Sequence, residues 1–194
     1  MPRKPKQSSF QGQDFKPQYE FGGALNKNSN PKIARSIITK HAMHVVLRSK
    51  MARGPFSLLK KADEIRFLLD RQANLFGIKV YEKAVVGNHI HLLIYLKTNS
   101  RVQGRRSLSC FLRAVSGLIA RLILGKERGR MKKGLAAQTT QPRPARFWVY
   151  RPYTRVVVGF KRGYQVAKDY VVQNHLEAIG VIPYQPRKLR QSSA

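Results

Sequence analysis

With 194 residues and 42% hydrophobic side chains, the chain can bury one packed domain and carry short tails. Its 38 Lys and Arg against 9 Asp and Glu leave a formal charge of +29, more than solubility requires, so nucleic acid is the expected partner; a purely RNA-binding protein of ribosomal type would show the same balance. A single cysteine, Cys110, excludes an internal disulfide and a cysteine-based zinc cluster, and there is neither an apolar signal core after Met1-Pro2-Arg3-Lys4-Pro5-Lys6 nor a stretch near the roughly 20 apolar residues of a membrane span, which points to the cytoplasm and away from membranes.

Residues 1–32 are rich in Pro, Gln, Asn, Gly and Lys and read as a basic, loosely ordered arm. Phe10, Phe15, Tyr19 and Phe21 give part of it the means to dock on the domain or on a ligand. A first strand is predicted from Thr39 to Leu47, followed by a Gly54-Pro55 turn. Leu58, Ile65, Leu68/Leu69 and Ala73 fall at helical spacing, so a helix is predicted from Leu58 to Leu75, with Gly77 just past its end. Ile78–Val86 and His89–Leu96 read as the next two strands, joined by Gly87-Asn88. A second helix is predicted from Leu108 to Leu124 on the stripe Leu108, Phe111/Leu112, Val115, Leu118/Ile119 and Leu122. Gly125 to Ala145 is polar, basic and punctuated by Gly and Pro, which reads as a loop. Phe147–Tyr150 and Thr154–Val158 make one bent strand or two short ones around Pro152, and a last helix runs from Tyr164 to Ala178 before Gly180. The order strand-helix-strand-strand-helix-strand is the ferredoxin-like plan: an α+β antiparallel sheet with two helices on one face and an added C-terminal helix. The domain is expected over residues 33–183, with a basic tail at 184–194.

The chemistry begins on the third strand. Successive strand side chains point to opposite faces, so Ile90, Leu92 and Ile94 suit the helix-covered face and His89, His91 and Tyr95 the other. Two imidazoles side by side on a rigid strand are half of a divalent-metal site, for Mg2+ or Mn2+. On the last helix Tyr170 and Asn174 stand four apart and share a face. A phenol nucleophile beside such a metal suits phosphodiester cleavage through a covalent phosphotyrosine, with the carboxamide oxygen as a further ligand. Taken singly, His-x-His is more often structural, Tyr170 a packing residue, Asn174 a surface or capping residue and His175 a solvent-facing one. Strand parity, helical spacing and charge together favour the joint reading.

Carboxylates contribute by their placement. Asp63, Glu64 and Asp70 lie on the first predicted helix and Glu82 in a strand, which argues against a two-metal nuclease built on several acidic ligands. Between Arg101 and Lys133 the run Arg101, Arg105, Arg106, Arg113, Arg121, Lys126, Arg128, Arg130, Lys132 and Lys133 is opposed only by Glu127. It reads as a DNA-backbone track beside the phosphate site rather than a merely solvated face. Arg151 and Arg155 extend it among Phe147, Trp148, Tyr150 and Tyr153, which are core or base-stacking residues, with core favoured for Phe147 and Trp148.

At these residues the chain resembles the single-tyrosine HUH transposases, most closely the REP-associated tyrosine transposases. Asn88-His89-Ile90-His91-Leu92-Leu93 is similar to that family's Asn-His-hydrophobic-His-Leu-Leu signature. His44-Val45-Val46-Leu47-Arg48 resembles its first strand, Phe147-Trp148 its aromatic pair, and Tyr170-Val171-Val172-Gln173-Asn174 with Ala178-Ile179-Gly180 its tyrosine helix. The resemblance covers Ile33 to Pro183 and departs at His175, where the family usually has proline; that histidine lengthens the helix or adds a ligand. Gly125 to Arg143 looks like an insertion. The resemblance implies metal-dependent nicking and joining of single-stranded or hairpin DNA through a 5′-phosphotyrosine and a free 3′-hydroxyl. His89 and His91 would be metal ligands, Asn174 a third, and Tyr170 the nucleophile; homodimer and monomer are both open. The rivals are a non-catalytic nucleic-acid-binding protein that keeps the fold, and a relaxase or replication initiator, against which the short chain argues.

Overall fold

A computed structural model describes residues 19–26, 34–125, 146–149, 151–159 and 161–185. The elements are β1 Glu20–Phe21, β2 Met43–Arg48, α1 Ala62–Leu75, β3 Ile78–Val85, β4 His89–Leu96, α2 Arg101–Leu124, β5 Tyr153–Val156 and α3 Arg162–Ala178. Neighbours in the sheet order β1-β5-β2-β4-β3 are antiparallel throughout. It follows that β2 runs parallel to β3 and β4 to β5, each pair joined through a helix, which is the expected ferredoxin-like plan with one strand added at an edge.

Binary patterning sets the layers. Met43, Val45 and Leu47 of β2 and Ile90, Leu92, Ile94 and Leu96 of β4 face one side and are buried with Ile65, Leu69, Leu108, Phe111, Val115 and Ile119 from α1 and α2. Phe147 joins that core, and the Trp148 indole packs beside it and donates to the Ser116 carbonyl at 2.8 Å, so both aromatics are core, as favoured. By length and composition α2 is apolar enough to cross a membrane, which no stretch was expected to be from the sequence; in the fold its apolar stripe is spent on this core. A second, smaller cluster of Ala84, Leu93, Val157 and Val171 lies on the opposite face, under α3.

A register shift between Val80 and Glu82 makes the second cluster possible. The extra residue, Tyr81, reverses the alternation along β3, so Glu82 and Ala84 turn toward α3 while Lys83 turns toward α1. There Lys83 pairs with Asp70, and Glu82 meets Lys168 of α3 at 3.6 Å.

Several boundaries differ from expectation; the first helix, for one, begins at Ala62 because Leu58–Lys61 form a 3-10 turn. The first strand starts at Met43 because Thr39 and Lys40 form a turn, with His41 N–H bonded to the Ile38 carbonyl at 3.2 Å. The second helix starts seven residues early, at Arg101, with the Ser100 hydroxyl accepting from the Gln103 N–H. Its first turns lack an apolar stripe because their packing residue is Gly104, whose missing side chain admits Leu96, Thr39 and Ile37. Of the predicted Phe147–Tyr150 strand only a single bridge, Trp148 to Ser49, is described, and regular pairing begins after Pro152, which has no N–H to give. The N-terminal arm is not uniformly loose: Glu20 pairs with Arg155 and Phe21 with Thr154 as the edge strand β1, so Tyr19 and Phe21 dock on the domain. Most of the arm, the predicted loop from Lys126 to Ala145, Tyr150 and most of the 184–194 tail lie outside the described residues.

Candidate active site

Because α3 packs mainly over β3 and β4, much of the rest of that face stays open. A cavity of about 1120 Å3 lies there, bounded by α3 on one side and by β1 with the turn after it on the other. Its floor comes from the residues that alternate with the core: His44, Val46 and Arg48 of β2, His89 and His91 of β4, Tyr153 and Arg155 of β5.

The helix that supplies Tyr170 is held by close packing. Val171 is fully buried on Ala84 and Leu93, and Gly163 abuts the Val158 carbonyl so tightly that a Cβ would lie 2.0 Å from its oxygen. Gly163→Ala is therefore expected to destabilise the fold by about 1–3 kcal/mol, measured as a lower denaturant midpoint.

The imidazoles and the phenol meet as the sequence implied. The His91 ring, 4% exposed, has its centroid 4.7 Å from that of His89 and 5.4 Å from that of Tyr170, both edge-on. Missed as a functional residue was His44, which stacks on His91 at 5.3 Å with the planes 6° apart and lies 5.7 Å from Tyr170. His44 Nε2 is 3.1 Å from His91 Nδ1. Burial first, and the charge of Arg155 second, push the His44 pKa down to about 4, so at neutral pH its ring is uncharged. On the neighbouring ligand candidate, His89 Nδ1 is 2.7 Å from Asn88 Oδ1. A carboxamide oxygen only accepts, so His89 donates from Nδ1 and carries its lone pair on Nε2. His91 takes the same tautomer when its Nδ1–H is the donor to His44 Nε2. Outer hydrogen bonds of this kind are what orient histidine ligands, and imidazoles with a lone pair on Nε2 have the donor chemistry to ligate a cation.

Asn174 is placed differently. It is 6% exposed, its Nδ2 donates to the Tyr170 carbonyl at 2.6 Å, and it does not line the cavity. The helix continues through His175, whose Nδ1 is buried without a hydrogen-bond partner among the described residues, so that histidine lengthens the helix and is not simply solvent-facing. Among the described residues no three His, Cys, Asp or Glu side chains are gathered to hold a metal.

The charges sort by face. Glu20 is the one acid among the described residues lining the cavity, and it meets Arg155 at 3.5 Å. Asp63, Glu64, Asp70 and Glu82 are all engaged elsewhere in ion pairs. Arg151 and Arg155 line the cavity as expected, and with them Arg48 and Arg162, which sequence reasoning missed. Arg48 was detectable, because it lies two and four residues beyond Val46 and His44 in the strand alternation. The placement of the predicted track beside the histidines is corrected: Arg101, Arg105, Arg106 and Arg113 ride on α2, on the far side of the sheet, because α2 covers the Ile90/Leu92 face. Arg128, Arg130, Lys132 and Lys133 lie outside the described residues.

A solved structure of a REP-associated tyrosine transposase bound to a REP hairpin superimposes with a TM-score of 0.50 over 80% of this chain and 81% of that one, at 12% identity. The chain shares the fold of that transposase. A candidate transposase from Deinococcus radiodurans R1 also matches, at 18% identity over 75% of this chain and 98% of that one, but its TM-score of 0.39 is too low to bear on the fold. No family model and no curated protein matches the sequence. At such identities the likeness is one of architecture, and the chemistry rests on the residues themselves.

Proposed function

We propose that the protein is a metal-dependent endonuclease and strand transferase for single-stranded DNA, a transposase-type enzyme that works through a 5′-phosphotyrosine at Tyr170. The observation that carries this reading is the meeting of the Tyr170 ring with His91 at 5.4 Å, in a cavity walled by Arg48, Arg151, Arg155 and Arg162. The arginines bind the phosphate backbone and hold the strand across the cavity. The Tyr170 oxygen, losing its proton, attacks phosphorus; the bond to the 3′-oxygen breaks, and that oxygen leaves as a hydroxyl after taking a proton from solvent. Attack by a 3′-hydroxyl on the same phosphorus reverses the step, joins the strands and returns the phenol. Mg2+ or Mn2+ held by Nε2 of His89 and His91 would polarise the phosphate and stabilise the leaving oxygen, with water completing the ligand set because Asn174 does not line the cavity. Hairpin DNA is the proposed substrate form, because the matching solved transposase is bound to a hairpin.

Incubation with end-labelled hairpin-bearing single-stranded DNA and MnCl2 tests the reading. The expected product is a protein-linked strand whose tryptic peptide contains Tyr170. Binding without any adduct across varied substrates would instead favour the non-catalytic nucleic-acid-binding protein. His44 offers a finer check. Its loss in His44→Ala is expected to weaken Mn2+ binding by about 10–100-fold through the freed His91 ring, measured by metal titration.

A further inference from the structure

A second groove, of about 500 Å3, runs on the other face of the sheet between α2 and the β1–β5 edge. Arg105 and Arg113 face it from α2, Arg35 and Arg151 from the edge, and no acidic side chain is among the described residues that line it. Arg35 is the most telling of the four. Its guanidinium lies 4.7 Å over the Phe21 ring and donates to the Pro152 carbonyl at 3.1 Å and to Thr154 Oγ1 at 2.7 Å, all neutral partners. No carboxylate among the described residues forms an ion pair with it. Burial first, and the like charge of Arg151 second, lower its pKa to about 10, so at neutral pH it remains a cation held near another cation. A half-buried charge is costly unless an opposite charge completes it. Among the described residues the groove gathers four arginines and is lined by no acidic side chain.

Position adds to charge. Arg151 lines this groove and also the cavity of Tyr170, so the two meet just before β5, at the β1 side of the sheet. Arg105 and Arg113 are eight residues apart on α2, about 12 Å along its axis, a span of roughly three to four nucleotides at a rise of about 3.4 Å per nucleotide.

We propose that this groove is a second DNA site, which takes the sugar–phosphate backbone flanking the cleaved position as the strand passes from the cavity around the β1 side of the sheet at Arg151. Only the identity of the strand rests on the nicking reading given above; the charge argument does not. The groove holds the backbone without reading bases, so it adds affinity with little sequence preference.

The test compares a short oligonucleotide that fills the cavity alone with a strand about 15 nucleotides longer on each side. For wild-type protein the long strand is expected to bind at least about 10-fold tighter and with a steeper salt dependence. In Arg105→Ala/Arg113→Ala, both exposed positions, the long-to-short affinity ratio is expected to fall about 10-fold. The slope of log K against log salt should drop by about 1–2, near 0.7 for each phosphate that the variant no longer neutralises. An unchanged ratio and slope in the folded double variant would overturn the proposal. Tyr170 adducts are scored in parallel with wild-type protein. If none forms yet the length effect disappears in the variant, the nicking reading fails and the groove stands; if adducts form and wild-type protein shows no length effect, the groove fails and the nicking reading stands.

Discussion

Tyr170→Phe is expected to abolish the covalent DNA adduct and to lower nicking by at least about 10³-fold, while DNA affinity changes by less than about threefold. The substitution removes one oxygen and keeps the ring. Its edge contacts with His91 at 5.4 Å and His44 at 5.7 Å survive, so the cavity keeps its shape and its arginines. Unfolding free energy should move by no more than about 1 kcal/mol, the scale of a single hydrogen bond. Two other phenols make the result discriminating. Tyr153 also lines the cavity, 6.5 Å from His44, and would be the nucleophile if nicking persisted in Tyr170→Phe and vanished in Tyr153→Phe. Tyr164 lies on α3 but packs edge-on against Tyr81 at 5.4 Å, and burial first, then Tyr81 and Glu82, raise its pKa, which keeps it protonated and a poor nucleophile. Nicking at the wild-type rate in both Phe variants would remove tyrosine chemistry from the protein.

Strand alternation carried most of what the sequence revealed. Ile90, Leu92 and Ile94 alternate cleanly with His89 and His91, and the sheet buries the first set and opens the second to the cavity. The same rule applied to β2 would have added His44 and Arg48, but nothing local marks His44 as more than a strand residue. Its role depends on which strand lies beside β4, and pairing across 47 residues is a tertiary fact that no local pattern contains. The Tyr81 bulge was equally hidden, since an extra residue in one strand shows only against its partner. Edge strand β1 is two residues long, too short to display a period. The place of the arginine track relative to the histidines was hidden for a different reason. Charge density along α2 is plain in the sequence, but a solvent-facing stripe does not say which face of the sheet its helix will cover. Helical spacing correctly put Tyr170 and Asn174 on adjacent turns, yet the Asn174 amide turned back to its own helix, a choice that the buried surroundings of α3 impose.

His91→Ala is expected to erase the response of the fold to metal. In the wild-type protein a divalent ion that binds only the folded state at about 100 times its Kd contributes about 2.7 kcal/mol, a rise of roughly 5–10 °C in thermal midpoint for a chain of this size. His91 is the hub of the site, its ring contacting those of His89, His44 and Tyr170, and alanine there removes one proposed ligand and the outer partner of His44 together. The variant itself should lose about 1–3 kcal/mol, because the 4% exposed imidazole leaves a void and an unmatched His44 nitrogen. That loss is bounded because His44, with its pKa near 4, is neutral at pH 7 and no buried charge is stranded. His89→Ala separates the two effects. Its ring is more exposed and bonded to Asn88, so it should cost less in metal-free stability and abolish the metal response just as fully. A scan of thermal midpoint against MnCl2 for the three proteins reads both quantities at once. A wild-type midpoint insensitive to Mn2+ and Mg2+, or a shift that survives in both alanine variants, would show that the two imidazoles serve packing and hydrogen bonding alone.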